Sequence, residues 1–114
     1  MKNVAEFTII GRVGTVKTGR AMRVSIASNY RLRAENGDWR EDTHWNEVTI
    51  FNKRTQGFVE EHINKGDLVH VRGRIRQGNY KRADGSTAYT VDLIALEFDR
   101  QAKGSDRVPD REAA

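Results

Sequence analysis

The segment THWNEVTIFNKRTQGFVEEHINKGDLVHVRGRIRQ (residues 43–77) reads as a strand, a helix and a second strand. Apolar and polar residues alternate in Thr43–Asn52 and in Asp67–Gln77, which is typical of strands with one buried face. Arg54–Asn64 has apolar residues at helical spacing, and a Lys-Gly pair follows it, as expected at a helix C-terminus. The segment therefore predicts a helix that connects two strands of one small sheet.

The first of these strands has large aromatic side chains on its polar face. Because side chains alternate along a strand, Val48 and Ile50 share one face, whereas Trp45 and Phe51 share the other with a glutamate and a threonine. Aromatic residues on a solvent face indicate a binding surface. A bulge that shifted the register by one residue would instead place Trp45 in the core, and Phe51 at the strand end could pack under the helix.

Strand patterns also occur before and after this segment. Phe7–Gly14, Met22–Asn29 and Thr87–Phe98 read as strands, and Tyr30–Asp42 and Gly78–Ser86 read as long hairpin loops with Asn-Gly and Asp-Gly turns. The order of three strands, one helix and two strands is that of the OB-fold. We therefore predict an all-β, five-stranded OB-fold, a Greek-key barrel with one helix between the third and fourth strands.

The chain has 114 residues, a net charge of +4 and no cysteine. This length fits one domain, which we assign to residues 1–100, and the charged residues 101–114 are expected to form a disordered tail. Because no segment approaches the roughly 20 apolar residues of a membrane helix, and no signal peptide is visible at the N-terminus, we expect a soluble cytoplasmic protein.

The sequence offers no motif for catalysis. Its three histidines lack the spacing of metal ligands, its acidic residues form no paired-carboxylate motif, and its glycines do not form a phosphate-binding loop. We therefore predict that the protein is not an enzyme and uses neither a metal nor a cofactor.

The second strand of the quoted segment carries a row of arginines. Arg72, Arg74 and Arg76 recur at every second position, so they line one face at about 6.5–7 Å intervals. That interval approximates the spacing of phosphates along an extended nucleic acid strand. The alternative is a solvated face whose charges discourage edge pairing.

Both predicted loops combine aromatic residues with cations. Proteins bind single-stranded nucleic acid with a basic groove and with aromatic side chains on which bases stack. The loop candidates are Tyr80, Lys81 and Arg82 in one loop and Tyr30, Arg31, Arg33 and Trp39 in the other. By contrast, we expect Tyr89 to pack within the protein or at an interface, and Arg20 and Arg23 to be solvated surface residues.

Four segments in order, IIGRVG, THWNEVTIFNK, FVEEHINKGDLVHVRGRIR and DGSTAYTVDLIA, resemble the DNA-binding domain of bacterial single-stranded DNA-binding proteins. The resemblance runs from about Val4 to Phe98. It implies an OB-fold that assembles, usually as a homotetramer, and wraps single-stranded DNA without sequence preference in replication, recombination or repair. It also implies a nucleoid-associated location.

The resemblance also implies roles for individual residues. The family's stacking aromatics correspond to Trp45, Phe51 and Tyr80, and Lys53 corresponds to a lysine that follows the phenylalanine. The first stacking position of the family falls on either Tyr30 or Arg31. The chain ends in Asp-Arg-Glu-Ala-Ala, where replicative members have an acidic tip, so we expect no tail-mediated recruitment of partners. Two other hypotheses are a primosome-type OB-fold adaptor and an RNA-binding protein.

Overall fold

The computed structural model describes residues 2–104. The five strands and the helix follow the predicted order. Their bounds are β1 Glu6–Lys17, β2 Met22–Arg33, β3 Trp39–Ile50, α1 Lys53–His62, β4 Leu68–Lys81 and β5 Thr87–Ala102. None of the helices in this part of the chain is long and apolar enough to cross a bilayer.

The strands form a closed barrel in the order β1-β2-β3-β5-β4. All neighbours are antiparallel except β3 and β5, which pair in parallel where Thr49 lies opposite Ile94. The barrel closes because β4 pairs with β1 from Leu68 opposite Arg12 to Arg74 opposite Glu6. The predicted five-stranded barrel with a helix between the third and fourth strands is confirmed.

Alternate strand residues point into the barrel and form its core. The most deeply buried are Met22, Val24, Ile26, Val48, Ile50, Val59, Val69 and Val71. Val48 and Ile50 therefore face inward, as predicted. Ile75 was expected to do the same but is 38% exposed, because pairing with β1 stops at Arg74 and only β5 accompanies β4 beyond that residue.

The helix α1 covers one end of the core with a stripe of buried residues from successive turns. Asn52 caps its N-terminus by accepting a hydrogen bond from the backbone N–H of Thr55 at 3.0 Å. Val59 and Ile63 are buried, whereas Phe58 and His62, predicted on the same face, remain at the surface with their rings 5.4 Å apart. The helix ends at His62, before the predicted Asn64, because Ile63 adopts an extended conformation.

The two predicted loops are largely strands. The β2–β3 pairing continues to Arg33 opposite Trp39, and Gly37 turns the chain with φ of +90°. The β4–β5 pairing likewise continues to Lys81 opposite Thr87. These arms project beyond the barrel, and among their residues only Ala88 is buried, so their sequences lack the alternation that identifies a strand.

The carboxylate of Asp67 joins the start of β4 to the end of β5. It is 2% exposed and accepts hydrogen bonds from the N–H groups of Asn64 at 2.9 Å and Gly104 at 2.7 Å. Strand β5 includes Gln101 and Ala102, which we had assigned to the tail. Of the predicted tail, residues 105–114 lie outside the described residues.

Candidate nucleic-acid interface

One face of the β2–β3 hairpin carries both tryptophans. The register between these strands runs without a shift from Met22 opposite Ile50 to Arg33 opposite Trp39. Side-chain alternation therefore keeps Trp39 on the same outward face as Trp45, and Trp45 is 61% exposed. The prediction that Trp45 lies outside the core is confirmed, because the register has no bulge at this point.

At the tip of this face, two arginines lie against Trp39. The guanidinium carbons of Arg31 and Arg33 lie 5.0 and 5.5 Å from the centre of its ring, within the range of cation–π attraction. Among residues 2–104, no carboxylate oxygen lies within 4.0 Å of either guanidinium group. Their charges therefore remain available to an anionic ligand.

Nearer the barrel, the ring of Trp45 packs over the backbone of Gly14 in β1. A Cβ atom built on Gly14 would lie 2.5 Å from Cζ3 of that ring, so a glycine allows the contact. Trp45 also forms one wall of a cleft of about 330 Å³ that Arg12 and Lys65 line with their cations. Glu41 also lines the cleft, which leaves one net positive charge. An aromatic wall beside a net positive charge is suited to a base and its phosphate.

Phe51 extends the aromatic face toward β5 and β4. It is half exposed and does not pack under the helix. The pairing of Thr49 with Ile94 continues this face onto β5, and the β4–β5 register adds Arg74 and Arg76. Tyr80 has the same parity as Arg74 and Arg76 in β4, so its side chain lies on the same side of the β4–β5 arm. These residues come from strands β3, β5 and β4 but share one surface.

Two predicted residues lie on the opposite sides of the hairpin arms. Tyr30 contacts the ring of His44, with the ring centroids 5.6 Å apart, on the face that alternates with that of Arg31. Lys81 likewise shares its side with Tyr89 rather than with Tyr80. Tyr89, which we expected to pack within the protein or at an interface, is exposed in this single chain. Of the two candidates for the first stacking position, Arg31 shares the tryptophan face.

The arginine row on β4 is largely occupied by carboxylates. Arg72 donates to Glu97 at 2.7 Å and to Glu6 at 3.2 Å, and Arg76 donates to Asp92 at 3.3 Å. The hydrogen bond and charge of Arg72 hold the pKa of Glu97 below its ordinary value, and Glu97 raises the pKa of Arg72. In the described chain, Arg74 alone of the three has no carboxylate within 4.0 Å.

The remaining predicted cations lie at the ends of elements. Lys53 is the first residue of α1 and is exposed. Arg82 donates to the Ser86 hydroxyl at 3.3 Å in the β4–β5 turn. The hydroxyl and N–H of Ser86 also bind Asp84 and lower its pKa, which keeps a negative charge at this tip.

Three residues that line the cleft of Trp45 were not predicted from the sequence: Arg12, Gly14 and Lys65. Arg12 donates to the carbonyl of Gly66 at 3.2 Å, so β1 and the turn after α1 meet beside the tryptophan. Arg12 and Gly14 belong to the predicted first strand, Phe7–Gly14. Only the strand register, which pairs Arg12 with Ala27 and Ala27 with Trp45, connects this strand to the aromatic face.

A closed five-stranded barrel with an aromatic, basic outward face places the chain among OB-fold proteins. The sequence pattern of the Single-strand binding protein family matches residues 4–101. The chain therefore belongs to the single-strand binding protein family, as its sequence motifs had predicted.

Relatives and solved structures agree with this assignment. The mitochondrial single-stranded DNA-binding protein of Drosophila melanogaster is 31% identical over 100 residues, which cover 82% of this chain and 68% of that protein. The single-stranded DNA-binding protein of Xanthomonas axonopodis pv. citri is 28% identical over 104 residues, 85% of this chain and 57% of its own length.

Two solved structures share the fold. The mitochondrial single-stranded DNA binding protein Rim1 of S. cerevisiae is 27% identical, with a TM-score of 0.65 and coverage of 90% of this chain and 99% of that chain. The SSB of Plasmodium falciparum in complex with ssDNA has a TM-score of 0.71 at 19% identity, over 88% of this chain and 97% of that one.

Proposed function

We propose that this protein binds single-stranded DNA without sequence preference, through the outward face of β2, β3, β5 and β4. Family membership supports binding of single-stranded DNA as the activity. One observation carries the proposed location: Trp39, Trp45 and Phe51 lie exposed on one face. They share it with Arg31 and Arg33, which have no carboxylate oxygen within 4.0 Å among residues 2–104.

The face suits stacking and charge neutralisation rather than the reading of base edges. Each stacked base contributes about 1–3 kcal/mol, and stacking tolerates any base because every base has an aromatic surface. Arg31 and Arg33 at the tip and Arg74 on β4 would neutralise phosphates. Affinity should then fall as salt rises, because bound counterions are released when DNA binds.

We further propose that the protein assembles with itself as a homotetramer and protects DNA in replication, recombination or repair. The β1 edge from Glu6 to Gly11 pairs with β4 on one side, and within residues 2–104 no strand pairs with its other side. Ile10, which lies on this edge, is exposed. Light scattering should give a mass near four times 13.0 kDa; a mass of twice that value would indicate a dimer.

The absence of catalysis, a metal or a cofactor stays a prediction, as does the cytoplasmic, nucleoid-associated location. The adaptor hypothesis gains no support from the relatives and structures named above, whose names all describe single-stranded DNA binding or an SSB. We therefore retain DNA binding alone as the proposed function.

Tryptophan fluorescence tests this proposal directly, because the chain contains only Trp39 and Trp45 and both lie on the proposed face. Titration with oligo(dT) should quench the emission strongly, duplex DNA should quench it weakly, and added salt should reverse part of the effect. A folded protein whose emission does not respond to oligo(dT) would show that this face does not bind DNA.

A further inference from the structure

A cleft beside Phe51 has an apolar floor that does not belong to the barrel core. Its volume is about 390 Å³, within the range of roughly 300–1,000 Å³ typical of small-ligand pockets. Ile94 forms the floor and is 3% exposed, although it lies outside the core cluster. Phe51 forms a wall. The flat ring of one base can therefore lie on apolar and aromatic surface here.

The mouth of this cleft is basic. Arg20 and Arg23 line it from the β1–β2 turn and the start of β2, and Arg76 lines it from β4. Arg76 is bound to Asp92 at 3.3 Å, but the Arg23 guanidinium lies 3.8 Å from Glu47, with both side chains about half exposed. Such an exposed pair is weak and easily exchanged for another anion.

Arg20 has even fewer competing anions. In the described part of the chain, no carboxylate oxygen lies within 4.0 Å of its guanidinium group. Arg23 lies opposite Thr49 in the β2–β3 register, and Thr49 lies opposite Ile94 across the β3–β5 pairing. The two arginines therefore approach the cleft from one side, along the row of residues that leads to its floor.

We propose that Arg20 and Arg23 bind the backbone phosphate of the nucleotide whose base stacks on Phe51. This inference rests on the proposed function and adds a phosphate site to it. We had interpreted both arginines as solvated surface. The positive charge of Arg20 and the weak pairing of Arg23 instead make them better phosphate ligands than Arg72, which already holds two carboxylates.

The test is the salt dependence of oligo(dT) binding by an Arg20→Gln/Arg23→Gln double variant. Removing two phosphate contacts should reduce the slope of log K against log salt by about 1.4, at about 0.7 for each contact on a single strand. Tryptophan quenching at saturation should persist, because neither tryptophan is altered. Each single variant should give about half of the change in slope.

Arg40→Gln provides a matched control. Arg40 lies opposite Leu32, on the hairpin face that alternates with that of Trp39, so its loss should leave the slope unchanged. Thermal unfolding should be similar for all variants, because the side chains of Arg20, Arg23 and Arg40 are exposed.

The outcomes separate this inference from the proposed function. If wild type shows quenching and a salt slope while the double variant has the same slope, the phosphate site is wrong and DNA binding stands. If wild type neither quenches nor binds oligo(dT), the proposed function fails and the phosphate site fails with it.

Discussion

The β2–β3 hairpin and strand β4 both carry rows of arginines, but in residues 2–104 carboxylates pair with two of the three arginines on β4 and with neither Arg31 nor Arg33 of the hairpin. Arg31 and Arg33 lie against the ring of Trp39, whereas Arg72 holds Glu6 and Glu97. A cation that stacks on an aromatic ring keeps its charge available to a ligand. A cation that binds two carboxylates must lose those partners before it can bind a phosphate.

This contrast shows that exposure and parity do not define a binding surface. Alternation along the strand predicts that both rows point outward, and both do. The contacts that form across the strands then decide the outcome: Arg72 binds Glu97, which lies opposite it in β5. Arg31 also lies opposite a glutamate, Glu41, but its guanidinium group lies over the ring of Trp39. Substitutions in the hairpin row should therefore affect mainly DNA binding, whereas substitutions at the Arg72–Glu97 pair should affect mainly stability.

The largest effect should come from the stacking platform at the base of the hairpin. Trp45→Ala should weaken oligo(dT) binding by about 1–3 kcal/mol, which is about 5- to 150-fold, because one base loses its aromatic partner. Anisotropy of a labelled oligonucleotide measures the affinity. Tyr89→Ala removes an exposed aromatic from the far side of the β4–β5 arm and should leave the affinity within twofold of wild type.

Thermal unfolding completes this test. Trp45 is mostly exposed, so the Ala variant should unfold near the wild-type temperature. An unfolded Trp45→Ala protein would mean that the side chain supports the barrel rather than the ligand.

Gly14→Ala should weaken binding without altering any residue of the aromatic face. The added methyl group would meet the ring of Trp45 and the hydroxyl of Ser25, so the ring must move from its present position. Overpacking of this kind costs about 1–3 kcal/mol, shared between stability and DNA affinity. Gly57→Ala is the matched control, because no atom lies within 4 Å of a Cβ built there.

We expect Gly14→Ala to lose more affinity for oligo(dT) than its decrease in folding stability explains. If Gly14→Ala binds oligo(dT) as wild type does, the position of the Trp45 ring over β1 does not matter for binding.

The two arginine rows can be compared by their salt dependence. Arg31→Gln/Arg33→Gln should reduce the slope of log K against log salt by about 1.4, because each arginine neutralises one phosphate. Arg72→Gln should reduce it by less than either single hairpin variant, since its carboxylate partners already compensate its charge. Equal slopes for Arg72→Gln and the hairpin variants would remove the distinction between the rows.

The smallest effect is a pH dependence at the Arg72–Glu97 pair. Glu97 has a pKa below its ordinary value of 4.5 in the folded protein, so it binds its proton less readily when folded than when unfolded. The pair therefore stabilises the fold above about pH 4.5, and this contribution is lost as pH falls through the lower, folded pKa.

Thermal unfolding at several pH values measures this contribution. The difference in melting temperature between wild type and Glu97→Gln should be greatest near neutral pH and should shrink between pH 5 and pH 3. A difference that stays constant over this range would show that Glu97 contributes through packing and not through its charge. Glu35→Gln, in the β2–β3 turn, is a control for the loss of one carboxylate.

The barrel was predictable because its strands bury one face and therefore alternate. The alternation of inward and outward positions in β3 separated Val48 and Ile50 from Trp45 and Phe51, and so identified the core side and the aromatic side of this strand. The hairpin arms were not predictable as strands, because both of their faces are largely exposed. The prediction that Ile75 is buried was wrong for a related reason. Ile75 has the parity of the inward-facing residues, but β1 does not extend far enough to cover it.

The candidate site was predictable as a set of residue types but not as a surface. The three carboxylates that bind Arg72 and Arg76 come from β1 and β5, and the bond from Arg72 to Glu6 spans 66 positions of the chain. Only the registers of three strands bring these residues together. The same holds for Gly14 beneath Trp45, and no local pattern in the sequence marks either contact.

The hydrogen bond between Gly104 and Asp67 has a practical consequence for the design of reporters. It holds the end of the described chain beside Gly66, and Gly66 also lines the cleft of Trp45. A fluorophore attached directly after Gly104 would begin next to the cleft of Trp45, which we propose binds DNA, and its brightness would report whether that cleft is occupied. A bulky purification tag fused there would start from the same place, so its removal before any affinity measurement is advisable.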